Sequence, residues 1–93
     1  MGHSMKDVPD GVYKVTQKEW IIISKKDGRW YGLVCYSWVP VTPDAGPALE
    51  RSGINGMLTE ITRLEFLLKF KRGLERIKYR ERECVEIEIR NPR

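Results

Sequence analysis

Residues 20–36 read WIIISKKDGRWYGLVCY, two β-branched and aromatic runs on either side of Asp27-Gly28. An Asp-Gly pair between such runs predicts a two-residue hairpin turn, because both turn positions need a positive φ that these residue types tolerate. Counting outward from this turn pairs Ile23 with Gly32. Both faces of the hairpin are then apolar, so a further part of the chain must cover or use the second face.

The hairpin is expected to belong to a three-stranded antiparallel meander. A first strand is predicted at residues 12–16, where β-branched and aromatic side chains follow a turn signal. The third strand is expected to run over residues 29–39 and to end where Pro40 removes a ladder donor. Gly, Pro, Ser and Asn then cluster at both ends of residues 42–56, which predicts a long loop of about 15 residues.

The segment after this loop has two interpretations. Residues 57–68 carry apolar side chains at helical spacing, whereas residues 64–70 alternate as a strand does. The helix is favoured because the residues are good helix formers, but residues 62–82 stay open between helix and strand. In the helix, Phe66 and Phe70 face away from the main apolar stripe and must contact something else.

The pattern as a whole predicts one small α+β domain over residues 6–93, with residues 1–5 a vector scar. Residues 85–89 alternate apolar and charged side chains and predict a C-terminal strand. The expected architecture is a three-stranded antiparallel meander, a long loop, one main helix packed on the sheet and a C-terminal strand. An all-β small barrel is the alternative.

Composition makes several classes of protein unexpected. No stretch approaches the roughly 20 apolar residues of a membrane span, and no signal peptide is recognisable, so a soluble cytoplasmic protein is expected. The one histidine, His3, lies in the scar, and Cys35 and Cys84 are predicted to be buried free thiols on strands. Neither a metal site nor a cofactor is therefore expected. No nucleophile with its base and no phosphate-cradling glycine loop is found either, so an enzyme is not expected.

Positive charge is concentrated in the second half of the chain, where residues 51–93 hold 11 Lys and Arg against 7 Asp and Glu. The excess lies within residues 69–82, which contain only two glutamates, Glu75 and Glu81. We call the cations there the basic segment: Lys69, Lys71, Arg72, Arg76, Lys78, Arg80 and Arg82. Such density attracts polyanions through counterion release. The alternative is a solvated face whose cations pair with the interspersed glutamates.

Residues 29–36, RWYGLVCY, resemble the central strand motif of RNA-recognition-motif domains. The matching positions are Arg29, Tyr31, Gly32, Val34 and Tyr36. In that family the aromatic side chains of this strand stack on bases. The sequence departs from the motif at Trp30 and Leu33, and residues 16–20 leave no room for the helix that the family has there. The family is not assigned, and cross-strand packing is the alternative role for these aromatic residues.

Two functions follow from these observations. The first is a small nucleic-acid-binding module that holds single-stranded DNA or RNA. Its phosphate contacts would be the basic segment with Lys25, Lys26 and Arg29, and its base-stacking platform would be Trp30, Tyr36 and Trp38 on one sheet face. The second is a protein–protein or homodimeric module whose interface includes Phe66 and Phe70 and whose cations only confer solubility. Neither involves a membrane or a metal.

Overall fold

The computed structural model describes residues 8–87. The strands are β1 (Gly11–Val15), β2 (Lys18–Lys26), β3 (Arg29–Val34), β4 (Ser37–Pro40), β5 (Leu58–Glu60) and β6 (Lys78–Tyr79). The helices are α1 (Ala45–Ile54) and α2 (Arg63–Phe70), and a short 3-10 helix spans Leu74–Arg76. This confirms the α+β class.

All six strands form one sheet in the order β5-β1-β2-β3-β4-β6. Strands β1 to β4 are an antiparallel meander, and β6 joins β4 in parallel. The predicted hairpin is confirmed, with Ile23 opposite Gly32. Asp27 and Gly28 adopt φ values of 52° and 81°, the left-handed geometry on which the prediction depended.

The meander has four strands because the predicted third strand is two strands. Cys35 and Tyr36 have φ values of 48° and 62° and form a second two-residue turn between β3 and β4. The chain reverses there, so Trp38 lies opposite Leu33. The turn escaped prediction because neither residue is a type that favours positive φ.

The predicted long loop contains helix α1. Gly46, Pro47 and Gly53 hid this helix in the sequence, although half of its residues are good helix formers. Pro47 is tolerated because it lies in the first turn, where the missing N–H has no helical partner. Leu49 of α1 is fully buried against the sheet, and this packing stabilises the helix.

The helix predicted from Met57 begins at Arg63. The face that it buries is opposite to the face that was predicted to be buried. Residues 58–60 instead form β5, which pairs with β1. Thr62 caps α2 by accepting a hydrogen bond from the Glu65 backbone N–H at 3.1 Å. Phe66 is fully buried, whereas Leu64 and Leu68 of the predicted core stripe are exposed.

Both faces of the sheet are covered, as the two apolar faces of the hairpin required. On one face α1 and residues 85–87 pack over Tyr13, Ile23 and Trp30. On the other, Phe66 of α2 and Ile77 pack over Ile22, Tyr31 and Trp38. The protein is thus a central sheet with a thin helical layer on each side.

The chain termini are described only in part. Val85 forms an isolated parallel bridge with Val41. Residues 86–87 of the predicted C-terminal strand are not in a strand, and its residues 88–89 and the scar, residues 1–5, lie outside the described residues. Cys35 and Cys84 are free thiols, but both are exposed, so the prediction that they are buried was wrong.

Neither helix within residues 8–87 has the length and apolar character needed to cross a membrane.

Candidate nucleic-acid interface

The basic segment begins in the last turn of α2 and ends beyond β6. Its seven cations are all exposed, because this part of the chain is a short 3-10 helix and a two-residue edge strand that bury little else. Lys78 lies opposite Ser37 in the parallel β4–β6 pair. The part of the segment in β6 therefore lies at the edge of the sheet, next to β4.

Most of these cations have no acidic partner within residues 8–87. Arg80 pairs with Glu83, with nitrogen and oxygen 2.6 Å apart. The other six have no carboxylate within ion-pair distance among residues 8–87.

The two glutamates of the segment interact with arginines outside it. Glu75 lies 3.8 Å from Arg63, and Glu81 lies 3.3 Å from Arg29. Surface pairing within the segment, the ordinary explanation for its glutamates, is therefore not observed.

The three cations predicted near the first turn are engaged elsewhere. Lys25 is largely buried, with its Nζ atom 2.9 Å from Glu50 Oε1. Lys26 Nζ lies 4.3 Å above the ring of Tyr79, and Arg29 pairs with Glu81 as described. Lys25 is thus a structural residue rather than a phosphate contact.

Glu50 of α1 is the partner that holds Lys25 and Trp30, and sequence reasoning missed it. It accepts hydrogen bonds from Val8 N at 2.7 Å, from Lys25 Nζ at 2.9 Å and from Trp30 Nε1 at 3.2 Å. Burial alone would raise the pKa of Glu50, but these donors outweigh burial and lower the pKa below its ordinary value. No sequence signal pointed to Glu50, because its helix was predicted as loop.

The predicted stacking platform of Trp30, Tyr36 and Trp38 is not formed. Trp30 and Trp38 are only 6% and 3% exposed, and they belong to opposite faces of the sheet. The second turn causes this separation, because it reverses the chain between β3 and β4. Of the three, Tyr36 alone is exposed.

The resemblance to RNA-recognition-motif domains does not extend to the role of Tyr31. Tyr31 is buried, and its hydroxyl donates a hydrogen bond to Glu81 at 3.1 Å. Burial and this hydrogen bond raise the pKa of Tyr31, so the hydroxyl remains a proton donor at neutral pH. Tyr31 is therefore a packing residue, as the alternative role proposed.

A different pair of exposed aromatic rings lies beside the basic segment. Trp20 is 74% exposed and Tyr36 is 49% exposed. They line one cavity of about 300 Å³, together with Ile22, Leu33, Cys35 and Phe70. Sequence reasoning placed Trp20 on a strand but did not single it out, because nothing in the sequence shows that β2 bulges there.

The two predicted interface residues lie inside the protein. Phe66 is fully buried, and Phe70 is half-buried with its ring centroid 4.7 Å from that of Phe66. The apolar surface of α2 consists instead of Leu64, Leu67 and Leu68, which are all exposed. The face of α2 that was predicted to pack in the core is thus the one that solvent reaches.

Potential metal ligands do not cluster in the part of the chain that the structure describes. Within residues 8–87 no three His, Cys, Asp or Glu side chains lie close enough together to hold an ion.

Comparison with known proteins adds no relative. No protein-family model, no curated protein and no solved structure matches this chain.

Proposed function

We propose that this chain is a small, non-catalytic module that binds single-stranded nucleic acid through the exposed basic segment. One observation carries the proposal. Six exposed cations between the last turn of α2 and residue 82 have no acidic partner among the described residues, while Glu75 and Glu81 lie beside Arg63 and Arg29. Uncompensated cations at this density favour a polyanion, because binding releases its condensed counterions.

The proposal sets the expected dependence of affinity on salt. For single strands, the slope of log K against log salt is about −0.7 for each phosphate neutralised. Four to six contacts from this surface then predict a slope of about −3 to −4. An affinity in the micromolar range is expected at low salt, as for other contacts dominated by phosphate.

Fluorescence anisotropy with a labelled single-stranded oligonucleotide tests the proposal. The variant Arg72→Gln with Arg76→Gln is expected to weaken binding and to reduce the salt slope by about 1.4, since two contacts are lost. Arg51→Gln is the control, because Arg51 is an exposed cation on α1, on the other side of the sheet. It removes one charge and is therefore compared with each single variant, Arg72→Gln and Arg76→Gln. The proposal fails if no salt-sensitive binding is seen, or if the variant and the control change the slope equally.

A second candidate function is homodimer formation through the outer face of α2. The observation in its favour is that Leu64, Leu67 and Leu68 are exposed on a helix of eight residues. In this case the basic segment would serve solubility.

A further inference from the structure

The cavity between Trp20 and Tyr36 has an apolar floor and two aromatic walls. Ile22, Leu33 and Phe70 form the floor, and the two exposed rings stand at its sides. Its volume of about 300 Å³ is at the lower end of the range for sites that enclose a small molecule. The cavity is therefore suited to one flat aromatic group rather than to a long chain.

Irregular pairing of β2 creates this cavity. On the β1 side, the register passes from Ile22 directly to Lys18, so residues 19–21 have no partner on β1. On the β3 side, the paired residues end at Ile23 and Gly32. The two strands part beyond this point, and Trp20 projects from the bulged stretch into solvent.

Tyr36 forms the other wall of the cavity, and its backbone conformation is unfavourable for a tyrosine. Its φ of 62° lies in the left-handed region, where glycine or asparagine is favoured. Strained positions of this kind cluster at binding sites, where the geometry of the side chain matters more than local stability. The strain of Tyr36 and its exposure thus point to the same role.

Cations of the basic segment flank both aromatic walls. The Arg72 guanidinium lies 4.2 Å from the centre of the Tyr36 ring. On the other side, Lys69 Nζ lies 3.1 Å from the backbone carbonyl oxygen of Glu19, next to Trp20. An aromatic group in the cavity would therefore have positive charge on either side, as a base within a phosphate backbone requires.

Carboxylates also lie near this cavity. Glu19 precedes Trp20 in the chain, and Glu86 lines a neighbouring cavity that shares Trp20, Ile22 and Leu33. The positive charge at the rim comes from Lys69 and Arg72.

We propose that this cavity receives one unstacked base of a single strand, stacked against Trp20 and Tyr36, with the neighbouring phosphates on Lys69 and Arg72. This rests on the proposed function and deepens it. A duplex keeps its bases paired and stacked, so its bases cannot enter. The protein therefore prefers single strands to duplexes and requires a base as well as phosphates.

The test compares three ligands of equal length: a single strand, the same strand with abasic sites throughout, and a duplex. The intact protein is expected to bind the single strand about tenfold more tightly than the abasic strand, as one stacked base provides. Trp20→Ala and Tyr36→Ala are each expected to remove most of this tenfold difference and to leave binding of the abasic strand unchanged. Ile54→Ala, which truncates an exposed apolar residue of α1, is the matched control. It is expected to change neither the tenfold difference nor the binding of the abasic strand.

The outcomes separate this inference from the proposed function. Equal, salt-sensitive binding of the normal strand, the abasic strand and the duplex would overturn the base cavity and leave the basic surface in place. Absence of binding to any of the three would overturn both. Trp20 is a surface residue, so Trp20→Ala is expected to fold, and circular dichroism of each variant checks this.

Discussion

Glu50 shows how one side chain fixes the roles of several others. Its carboxylate joins α1 to β2 through Lys25, to β3 through Trp30 and to the N-terminal segment through Val8. Lys25 also donates a hydrogen bond to the Val8 carbonyl at 2.7 Å. A lysine and a tryptophan that resembled ligand contacts in the sequence are thus parts of one structural network.

Replacing Glu50 tests this network through stability. Glu50→Gln is expected to lower the free energy of unfolding at neutral pH, because Lys25 loses its charged partner. The expected loss is about 2 kcal/mol and no more, because solvent partly screens Glu50. Urea unfolding measures the change. Glu60→Gln, at an exposed carboxylate, is the control and is expected to have little effect.

The effect of Glu50→Gln should depend on pH with a defined sign. The folded pKa of Glu50 is lowered, so its stabilisation is complete above the ordinary value of 4.5 and is lost as pH falls through the folded pKa. The difference between the two proteins is therefore expected to shrink as the pH falls below 4.5 and through the lowered folded pKa. A difference that stays constant over this range would show that Glu50 acts through packing and not through its charge.

At the second turn, substitutions that raise the stability of the protein are expected to lower its affinity for a single strand. Cys35 and Tyr36 both adopt positive φ, which costs about 1–2 kcal/mol for each residue that is not glycine. Cys35→Asn with Tyr36→Gly supplies the favoured turn residues and is expected to raise the free energy of unfolding by about 1–2 kcal/mol. The same change removes one wall of the cavity, so single-strand affinity is expected to fall about tenfold.

A single replacement separates the two effects. Cys35→Asn alone relieves part of the strain and keeps the Tyr36 ring, so it should stabilise the protein. Because Cys35 also lines the cavity, this variant is expected to lose some affinity, but less than the double variant. Thermal unfolding and anisotropy measure both quantities in the same samples. A double variant that is stabilised and binds as well as the original would show that Tyr36 has no part in binding.

Two glycines of α1 should respond to alanine in opposite directions. A Cβ atom at Gly46 would meet only Trp30, at an ordinary 3.8 Å, so Gly46→Ala is expected to stabilise the helix by up to about 1 kcal/mol. At Gly53 it would lie 2.5 Å from Val8 Cγ2, so Gly53→Ala is expected to destabilise the protein by about 1–3 kcal/mol. Urea unfolding of both variants measures this, and equal effects would contradict the packing of α1 against Val8.

The elements that sequence reasoning found were those with local signals. The Asp27-Gly28 turn carries its own φ preference, so the hairpin and its register were predicted correctly. The second turn lacks residues that favour positive φ, and the signal of α1 is obscured by two glycines and a proline. Both were therefore missed; burial of Leu49 against the sheet stabilises α1. The buried face of α2 is likewise set by contact with the sheet, which selected Phe66 over an equally apolar stripe of leucines.

The candidate site likewise has one part that could be predicted from the sequence and another part that could not. The basic segment was found because charge density is read directly from the sequence. Charged side chains such as these are exposed in most folds. The aromatic part was misplaced, because burial of Trp30 and Trp38 depends on two helices that cover opposite faces. The exposure of Trp20 could not be predicted, because it depends on the β2 bulge and no residue type in the sequence indicates that bulge.

Self-association offers a prediction about the intact molecule. The exposed apolar face of α2 has three leucines, whereas a stable interface buries about 800 Å² from each partner, some 20 to 30 residues a side. We therefore expect a monomer at about 10 μM and at most a weak dimer with a Kd above about 100 μM. Sedimentation velocity over this range measures the mass. If a dimer is seen, Leu64→Gln with Leu68→Gln should dissociate it and leave single-strand binding intact. Neither leucine lines the cavity between Trp20 and Tyr36, and the change adds no charge beside Lys69. A dimer that persists in this variant would place the interface elsewhere, and loss of both dimer and binding would show that the nucleic-acid surface is completed by a second copy.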